Sequence, residues 1–461
     1  MKTHICLPRS AAIVVLAVAS VGRAGVPSYT FELQARTNFA VNPGGTFNVP
    51  PGYFFSNADI QLNDSRQVSF RLGATPGLFQ SVWFGQNGVG GIVYNSPDDA
   101  FISETALNNN GRVIWPMTFV ATPGIYSYDH PTTTSGFLTS RPLGTSTWGS
   151  PNINDAGQVG FRAGFNGPQA FVSWDPGTNT VAEHAIEQSV DPLSPYTFLF
   201  TPSFNNARQI AGKVSLSGGR DQIRIFNADG SSVLIAEDRD SNPASPYTGF
   251  DNSVWLTNDG KVAFMAGLFP SGRGVFLSDG TTTTTIATQG QGGLGNIEFF
   301  GPSANNAGLV TFRAFNSAGL RTIWVGDGTT LVPLVTEHDI LPSDLGPARV
   351  DQETPSSPVF GGKPEINASG DIAFNCGLAP PANDQIEWGS AVYVAIASVP
   401  PPACPGDANG DGQINGADLS VLLSNFGQPA AGPAFGDFNG DGVCNGADLS
   451  VLLAQFGNSC P

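Results

Sequence analysis

The chain has 461 residues, with 57 glycines, 36 prolines and 20 lysines and arginines against 37 aspartates and glutamates, a formal net charge of −17. That acidity excludes nucleic acid and anionic membranes as partners held by electrostatic attraction. The turn-rich, lysine-poor composition suits an extracellular all-β protein, whose acidity serves solubility or cation binding.

The first elements in chain order are those of a secretory signal peptide over residues 1–24. Lys2 and Arg9 form a basic start, Ala11 to Val21 an apolar run, and Gly22-Arg23-Ala24 a small-residue cleavage site. The run is about half the 20 residues a membrane span needs, and no later segment replaces it, so the expectation is export without a membrane span. Cleavage would remove Cys6 and leave 17 basic against 37 acidic residues.

Between residues 60 and 375 one pattern recurs seven times: NDSRQVSF from Asn63, NNNGRVIW from Asn108, NDAGQVGF from Asn154, NNARQIAG from Asn205, TNDGKVAF from Thr257, NNAGLVTF from Asn305 and NASGDIAF from Asn367. The β-branched anchors Val68, Val113, Val159, Ile210, Val262, Val310 and Ile372 are spaced by 45, 46, 51, 52, 48 and 62 residues. That period suits a four-stranded propeller blade. Asn and Gly at the ends of NxxG suit a type I turn closed by a left-handed glycine, so NxxG reads as a turn and VxF as the strand it launches. Alternation then places Val159, Phe161 and Ala163, and likewise Val262, Phe264 and Ala266, on a core-facing side.

A second strand follows in most copies (SVWFG at Ser81, GIYSYD at Gly124, GVFLSDG at Gly274), then a third (TTTTTIATQG from Thr281). The last copy holds only two strands before the prolines. TFELQART from Thr30 and YFFSNADIQLN from Tyr53 are therefore expected to complete the final blade and close the ring, removing its free edges. The expected architecture is a propeller of seven four-stranded blades over residues 25–398. A six- or eight-bladed ring and a solenoid are the alternatives.

NxxGxxxF resembles the signature of a tandem-repeat family of secreted bacterial proteins that carry varied C-terminal anchoring or docking modules. The resemblance covers roughly residues 60–375 and implies architecture and secretion but no activity. Arg66 and Arg208 replace the glycine, Thr257 the asparagine and Gly212 the aromatic. An arginine at positive φ costs about 1 kcal/mol, so those two turns are expected to be built differently.

After a proline-rich linker at 399–403, residues 404–461 contain GDANGDGQINGADLSVLLSNFG from Gly406 and a near copy, GDFNGDGVCNGADLSVLLAQFG, from Gly436. Each places oxygen ligands as a twelve-residue calcium loop does. These are Asp407, Asn409, Asp411, the Gln413 carbonyl, Asn415 and Asp418 in the first copy. In the second they are Asp437, Asn439, Asp441, the Val443 carbonyl, Asn445 and Asp448. Gly412 and Gly442 make the sharp turns. An all-oxygen set of this size selects calcium, with two ions expected. Leu419, Leu422, Leu423 and Phe426, repeated as Leu449, Leu452, Leu453 and Phe456, form helical stripes expected to press together, ended by Gly427 and Gly457.

DxNxDGxxNxxD followed at once by one amphipathic helix and duplicated about 30 residues on resembles the type I dockerin family, in which Asp at position 12 is usual. The resemblance implies a small α-helical, EF-hand-type module with a cohesin-like or other cell-surface protein as partner. Dockerins contact cohesins through loop positions 10 and 11 and the helix that follows. Here those positions are Gly416-Ala417 and Gly446-Ala447, without the usual hydroxyls, leaving Ser420 and Ser450 as the polar contacts.

Cys404 and Cys460 bracket the tail and are the expected disulfide among three possible pairings, with Cys376 and Cys444 buried and reduced. Three histidines remain after export: His130, His184 and His338. His184 in VAEHA and His338 in VTEHD read as one repeated, structural position. No zinc-spaced histidine pair, nucleophile elbow or phosphate loop is present. Glu104, Glu183, Glu237, Asp238, Glu337 and Asp339 are the carboxylates available to an enzyme acting on polysaccharide.

The functional expectation is a secreted, extracellular or cell-surface protein without catalysis, whose calcium module docks and whose propeller binds glycan or protein. The alternatives are a polysaccharide hydrolase or lyase and a structural component of a cell-surface assembly.

Overall fold

The computed structural model describes residues 25–38, 48–55, 60–74, 80–97, 101–118, 120–139, 147–164, 169–351, 359–383, 386–398, 406–409, 411–430 and 432–458. The expected signal peptide, the 399–403 linker, Cys404 and Cys460 lie outside the described residues. The chain divides into two compact units, one spanning 25–400 and the other containing 401–461.

Among the described residues of the larger unit the strands fall into seven antiparallel sheets, one per repeat. The fourth blade is representative. Its innermost strand is broken into Tyr196–Leu199 and Ser203–Phe204, both pairing with the motif strand Ile210–Leu216. Arg220–Phe226 and then Ser232–Glu237 follow outward as a meander. The protein is a seven-bladed β-propeller.

The motif strands are buried on both faces, more than a half-buried alternation requires. Val262, Phe264 and Ala266 pack with Tyr247 of their own blade and with Ala211 and Ile223 of the blade before. Ala263 and Met265 pack with Ile297 and Phe312 of the blade after. Each blade is thus sandwiched, and the VxF aromatics stack on the neighbouring strand: Phe70 on Trp83 at 4.7 Å, Phe264 on Phe276 at 5.4 Å and Phe374 on Tyr393 at 5.7 Å between ring centroids. Gly212 lacks an aromatic because Phe171 of the third blade fills the space; a Cβ there would lie 2.6 Å from its ring.

The ring closes differently from the expectation. Ser28–Arg36 pairs with Gly389–Ser398 as the outermost strand of the seventh blade. Tyr53–Phe55 and Gln61–Leu62 instead pair with Gln67–Ala74 as the innermost strand of the first blade. Only one N-terminal strand crosses the seam, because the strand before each NxxG turn belongs with the strand after it.

The arginine turns are also corrected. Arg66 (φ 59°) and Arg208 (φ 57°) occupy the same left-handed position as Gly111 and Gly157 (φ 76° and 78°), so the turn is unchanged. The Asn63 side chain holds it, Oδ1 accepting from Ser65 N (3.1 Å) and Gln67 N (2.9 Å). Arg66 Nε reaches Asp371 across the seam at 3.0 Å.

The motif asparagine does more than cap its own turn. Asn63 Nδ2 donates to Asn108 O (3.0 Å), Asn108 Nδ2 to Asn154 O (3.0 Å), Asn154 Nδ2 to Asn205 O (3.5 Å) and Asn205 Nδ2 to Thr257 O (3.1 Å). Asn305 Nδ2 donates to Asn367 O (3.1 Å) and Asn367 Nδ2 back to Asn63 O (3.2 Å). The circuit lacks only the link that Thr257 cannot supply.

A second circuit runs beside it through the next residue. Backbone N–H groups of Asp64, Asn109, Asp155, Asn206 and Asn258 donate to side-chain Oδ1 of Asn109, Asp155, Asn206, Asn258 and Asn306 at 2.9–3.0 Å. Ala368 N donates to Asp64 Oδ1 at 2.8 Å, and Ala368, lacking a side-chain acceptor, is the gap. Each side chain replaces water for a turn that would otherwise leave donors open at the axis.

Candidate functional site

In the tail, Asn415 and Asn445 cap helices α1 (Gly416–Ser424) and α2 (Gly446–Gln455), each in a capping box with the Asp three residues on. Those aspartates, Asp418 and Asp448, are fully buried. Asp418 Oδ1 accepts from Ala408 N (2.8 Å) and Asn409 N (3.2 Å), and Oδ2 from Asn415 N (2.8 Å). Asp448 repeats the pattern with Phe438 N (2.8 Å), Asn439 N (3.1 Å) and Asn445 N (2.9 Å). Position 12 therefore ties the start of each loop to its helix.

Position 1 holds the turn. Gly412 N lies 2.9 Å from Asp407 Oδ2 and Gly442 N lies 3.0 Å from Asp437 Oδ2. The carboxylates of Asp437, Asp441 and Asp448 come within 4.8 Å of one another. Hydrogen bonds from the Asn439 side chain and Val443 N hold the Asp441 carboxyl below the usual range. Three carboxylates gathered this closely among oxygen-only neighbours fit a hard divalent cation such as calcium.

The two repeats clasp each other reciprocally. Gly427 N donates to Cys444 O (2.7 Å) and Gly457 N to Ile414 O (2.8 Å), while Cys444 N donates to Gln428 O (3.1 Å) and Ile414 N to Asn458 O (3.0 Å). Leu422 and Leu452 are buried with Ile414 and Cys444 between them. The expected stripe is corrected here: Leu423 and Leu453 are each 57% exposed, and Phe426 and Phe456 are 46% and 48% exposed. Helices of two and a half turns bury one leucine each against the partner loop, leaving the flank of the stripe outside.

Gly416, Ala417 and Ser420, and their counterparts Gly446, Ala447 and Ser450, are all exposed. Ser420 Oγ and Ser450 Oγ donate back to Gly416 O (2.8 Å) and Gly446 O (2.9 Å). Cys376 and Cys444 are free and buried.

In the propeller, the seven inner strands surround an axial space divided into two cavities. One, of about 170 Å³, opens among the NxxG turns; the other, of about 230 Å³, opens on the opposite face. Gln61, Asn152 and Trp255 line both, and Lys363 Nζ sits 4.7 Å from the centre of the Trp255 ring.

The second cavity is rimmed by phenylalanines backed by cations. Arg273 lies 4.1 Å from the Phe299 ring and Arg313 lies 3.8 Å from that of Phe300. Arg273 is itself held by Asp251 (2.6 Å) and Arg313 by Glu298 (2.9 Å). Burial pushes the Asp251 carboxyl up, against the pull of Arg273. The sequence pattern did not single out these aromatics, because they lie in the variable stretch before each inner strand.

Of the candidate carboxylates, Glu104 lines this cavity. Asp238 caps backbone, accepting from Asp221 N (2.9 Å) and Ser241 N (2.8 Å). Glu337 accepts from Arg321 N (3.1 Å) and Asp339 from Thr336 N (2.7 Å). Glu237 bonds Asn242 (2.9 Å), and Glu183 is exposed on an outer strand. Glu337, His338 and Asp351 gather within 4.8 Å, but Arg349 Nε lies 2.9 Å from Asp351, which makes an ion pair of the group.

His184 and His338 are not equivalent. Ala185 pairs with Phe171 and Val335 with Ile323, so His184 aligns with Leu334, and His338 lies beyond the strand end at Thr336. The two Glu-His pairs are similar strings four residues out of register. His184 is buried between Phe226 O (3.2 Å) and Ser173 Oγ (2.8 Å). A carbonyl only accepts, so Nδ1 carries the proton and Nε2 accepts from the serine.

Fold and site together define a seven-bladed β-propeller followed by a duplicated loop-and-helix module. Comparison with known families agrees: residues 405–456 match the type I dockerin domain, and the C-terminal unit is a dockerin-like module. Residues 219–395 match a family of unknown function (DUF7453). No curated protein matches the chain.

Similar solved structures include TolB from Acinetobacter baumannii, at 19% identity over 58% of this chain and 63% of that one, with a TM-score of 0.39. This chain thus spans less than two thirds of that TolB. The β-propeller domain of the trilobed protease from Pyrococcus furiosus is 10% identical over 75% of this chain and 93% of its own, with a TM-score of 0.48. An oligogalacturonate lyase from Vibrio parahaemolyticus is 11% identical over 75% and 98%, with a TM-score of 0.43. Among the described residues no helix is long and apolar enough to cross a membrane.

Proposed function

We propose that this is a secreted, non-catalytic docking protein. Two calcium ions fold its tail, the tail attaches it to a cohesin-bearing partner or surface, and the propeller presents a binding face for glycan or protein. The observation that carries the reading is the duplicated exposed pair, Leu423 with Phe426 and Leu453 with Phe456, set on and just after the helices that follow the two loops.

Asp407, Asn409, Asp411, the Gln413 carbonyl, Asn415 and Asp418 would hold one ion. Asp437, Asn439, Asp441, the Val443 carbonyl, Asn445 and Asp448 would hold the other. Calcium supplies the positive charge that lets three carboxylates share each loop. Gly416-Ala417 and Gly446-Ala447 offer no hydroxyl, so the partner surface that fits here is more apolar than one reading polar side chains at those positions.

Calorimetric titration of the full chain with a type I cohesin tests this, with and without a calcium chelator. Binding in calcium, lost on chelation, is expected. Leu423→Ala with Phe426→Ala should leave one equivalent face, and adding Leu453→Ala and Phe456→Ala should abolish binding. A calcium-saturated tail that binds no cohesin would refute the docking reading.

A further inference from the structure

The axial cavity opposite the NxxG turns carries an aromatic rim above a polar wall. Phe299 stands 78% exposed on its rim, and its ring is fixed by the Arg273 guanidinium 4.1 Å from its centroid. Phe300 beside it rests on the fully buried Arg313. Two successive rings are each seated against a guanidinium, which lowers the side-chain entropy lost when something stacks on them.

The walls are polar but neutral. Ser150, Asn152, Thr201, Ser203 and Ser253 supply hydroxyls and an amide, and Trp255 is shared with the cavity beyond. Thr105, 5% exposed and also in the wall, has a hydroxyl with no hydrogen-bond partner among the described residues. One acid, Glu104, and one base, Lys363, leave the lining without net charge.

We infer that this funnel binds the end of a neutral glycan chain, a sugar ring stacking on Phe299 and Phe300 with its hydroxyl edges toward the serines, threonines and Asn152. The inference rests on the reading of the propeller as a binding unit and names its ligand class. Aromatic faces interleaved with hydroxyl and amide groups match a ligand that is apolar above and below its ring and polar around it. A cavity of about 230 Å³ is smaller than the roughly 300–1,000 Å³ that encloses a whole drug-sized ligand, so it takes a terminus while the chain continues over the rim. A net charge of −17 repels polyanions, which selects uncharged glycans over carboxylated ones.

Affinity electrophoresis of the full chain in calcium, through native gels containing mixed-linkage β-glucan, galactomannan or alginate, tests the inference. Retardation by at least one neutral polysaccharide is expected. Phe299→Ala should weaken it ten-fold or more, Phe299→Trp should retain it, and Leu423→Ala in the tail should leave it unchanged. Phe299 is exposed, so its substitution leaves the fold intact, which thermal melting would verify.

No retardation by either neutral glycan, retardation by alginate alone, or full retention in Phe299→Ala would each overturn the inference. Loss of retardation with Leu423→Ala would overturn it too, by moving the site to the tail. Because cohesin titration reads the tail separately, failure of the funnel is distinguishable from failure of docking.

Discussion

The hydrogen-bonded circuit of motif asparagines sets a stability difference that can be engineered in both directions. Asn108 is 4% exposed; its Oδ1 accepts from Asn110 N (3.1 Å) and Arg112 N (2.9 Å), and its Nδ2 donates to Asn154 O (3.0 Å). Asn108→Ala strands two backbone donors and one carbonyl, at about 1–3 kcal/mol for each group that water cannot reach; with partial solvent access the expected loss is about 2–4 kcal/mol. In the opposite direction, Thr257→Asn supplies the missing donor to Asn305 O, and Ala368→Asn the missing acceptor for Asn306 N. Each should gain about 0.5–1.5 kcal/mol.

Both gaps open on the single peptide group between Asn305 and Asn306, so the double substitution measures the coupling of the two bonds as well as their sum. A unit of this length unfolds with an entropy of about 0.8 kcal/mol/K, so 1 kcal/mol moves Tm by roughly 1.3 °C. Calorimetry should show a rise of about 1–4 °C for the double substitution and a fall of about 3–5 °C for Asn108→Ala. A neutral double variant together with an unchanged Asn108→Ala would show that the circuit is a by-product of turn geometry.

Three further outcomes are expected. Burial lowers the His184 pKa to about 4 from an ordinary 6.5, so the folded state holds it neutral. Its contribution is complete above pH 6.5 and is lost as pH falls toward 4, at most about 3 kcal/mol; urea midpoints at pH 7 and 4.5 should converge in His184→Gln, and an equal acid loss in the variant would contradict this. Chelation should remove the far-ultraviolet signal of α1 and α2 from the full chain while leaving the strand signal, as should Asp418→Ala with Asp448→Ala; unchanged spectra would exclude metal-coupled folding. Arg208→Gly should stabilise the propeller by about 1 kcal/mol in thermal melts, because φ 57° is strained for arginine, whereas a loss would mean that its contact with Ser173 Oγ (3.4 Å) outweighs the strain.

The parts legible in the sequence are those set by neighbours in the chain. NxxG and the VxF strand after it depend on a turn of four residues, so the blade count followed from counting anchors. The oxygen-bearing side chains of each tail loop, 407–418 and 437–448, lie within twelve residues of one another, and each loop is followed at once by its helix. Burial of Cys376 and Cys444 was likewise readable, each standing where a repeat has an aliphatic residue.

What only the tertiary structure decided depends on residues far apart in the chain. Periodicity cannot say that Ser28–Arg36 closes the seventh blade while Tyr53–Phe55 opens the first, because both are extended segments of similar pattern. The second task of each motif asparagine is invisible locally, since Asn63 Nδ2 reaches a carbonyl 45 residues away. Leu423 reads as core by spacing and is exposed, because the short helix turns Leu422, not Leu423, into the shared cluster with Ile414 and Cys444. The funnel is likewise built from residues separated by whole blades. Local chemistry thus determined which elements form, and closure of the ring determined which side chains meet at its axis.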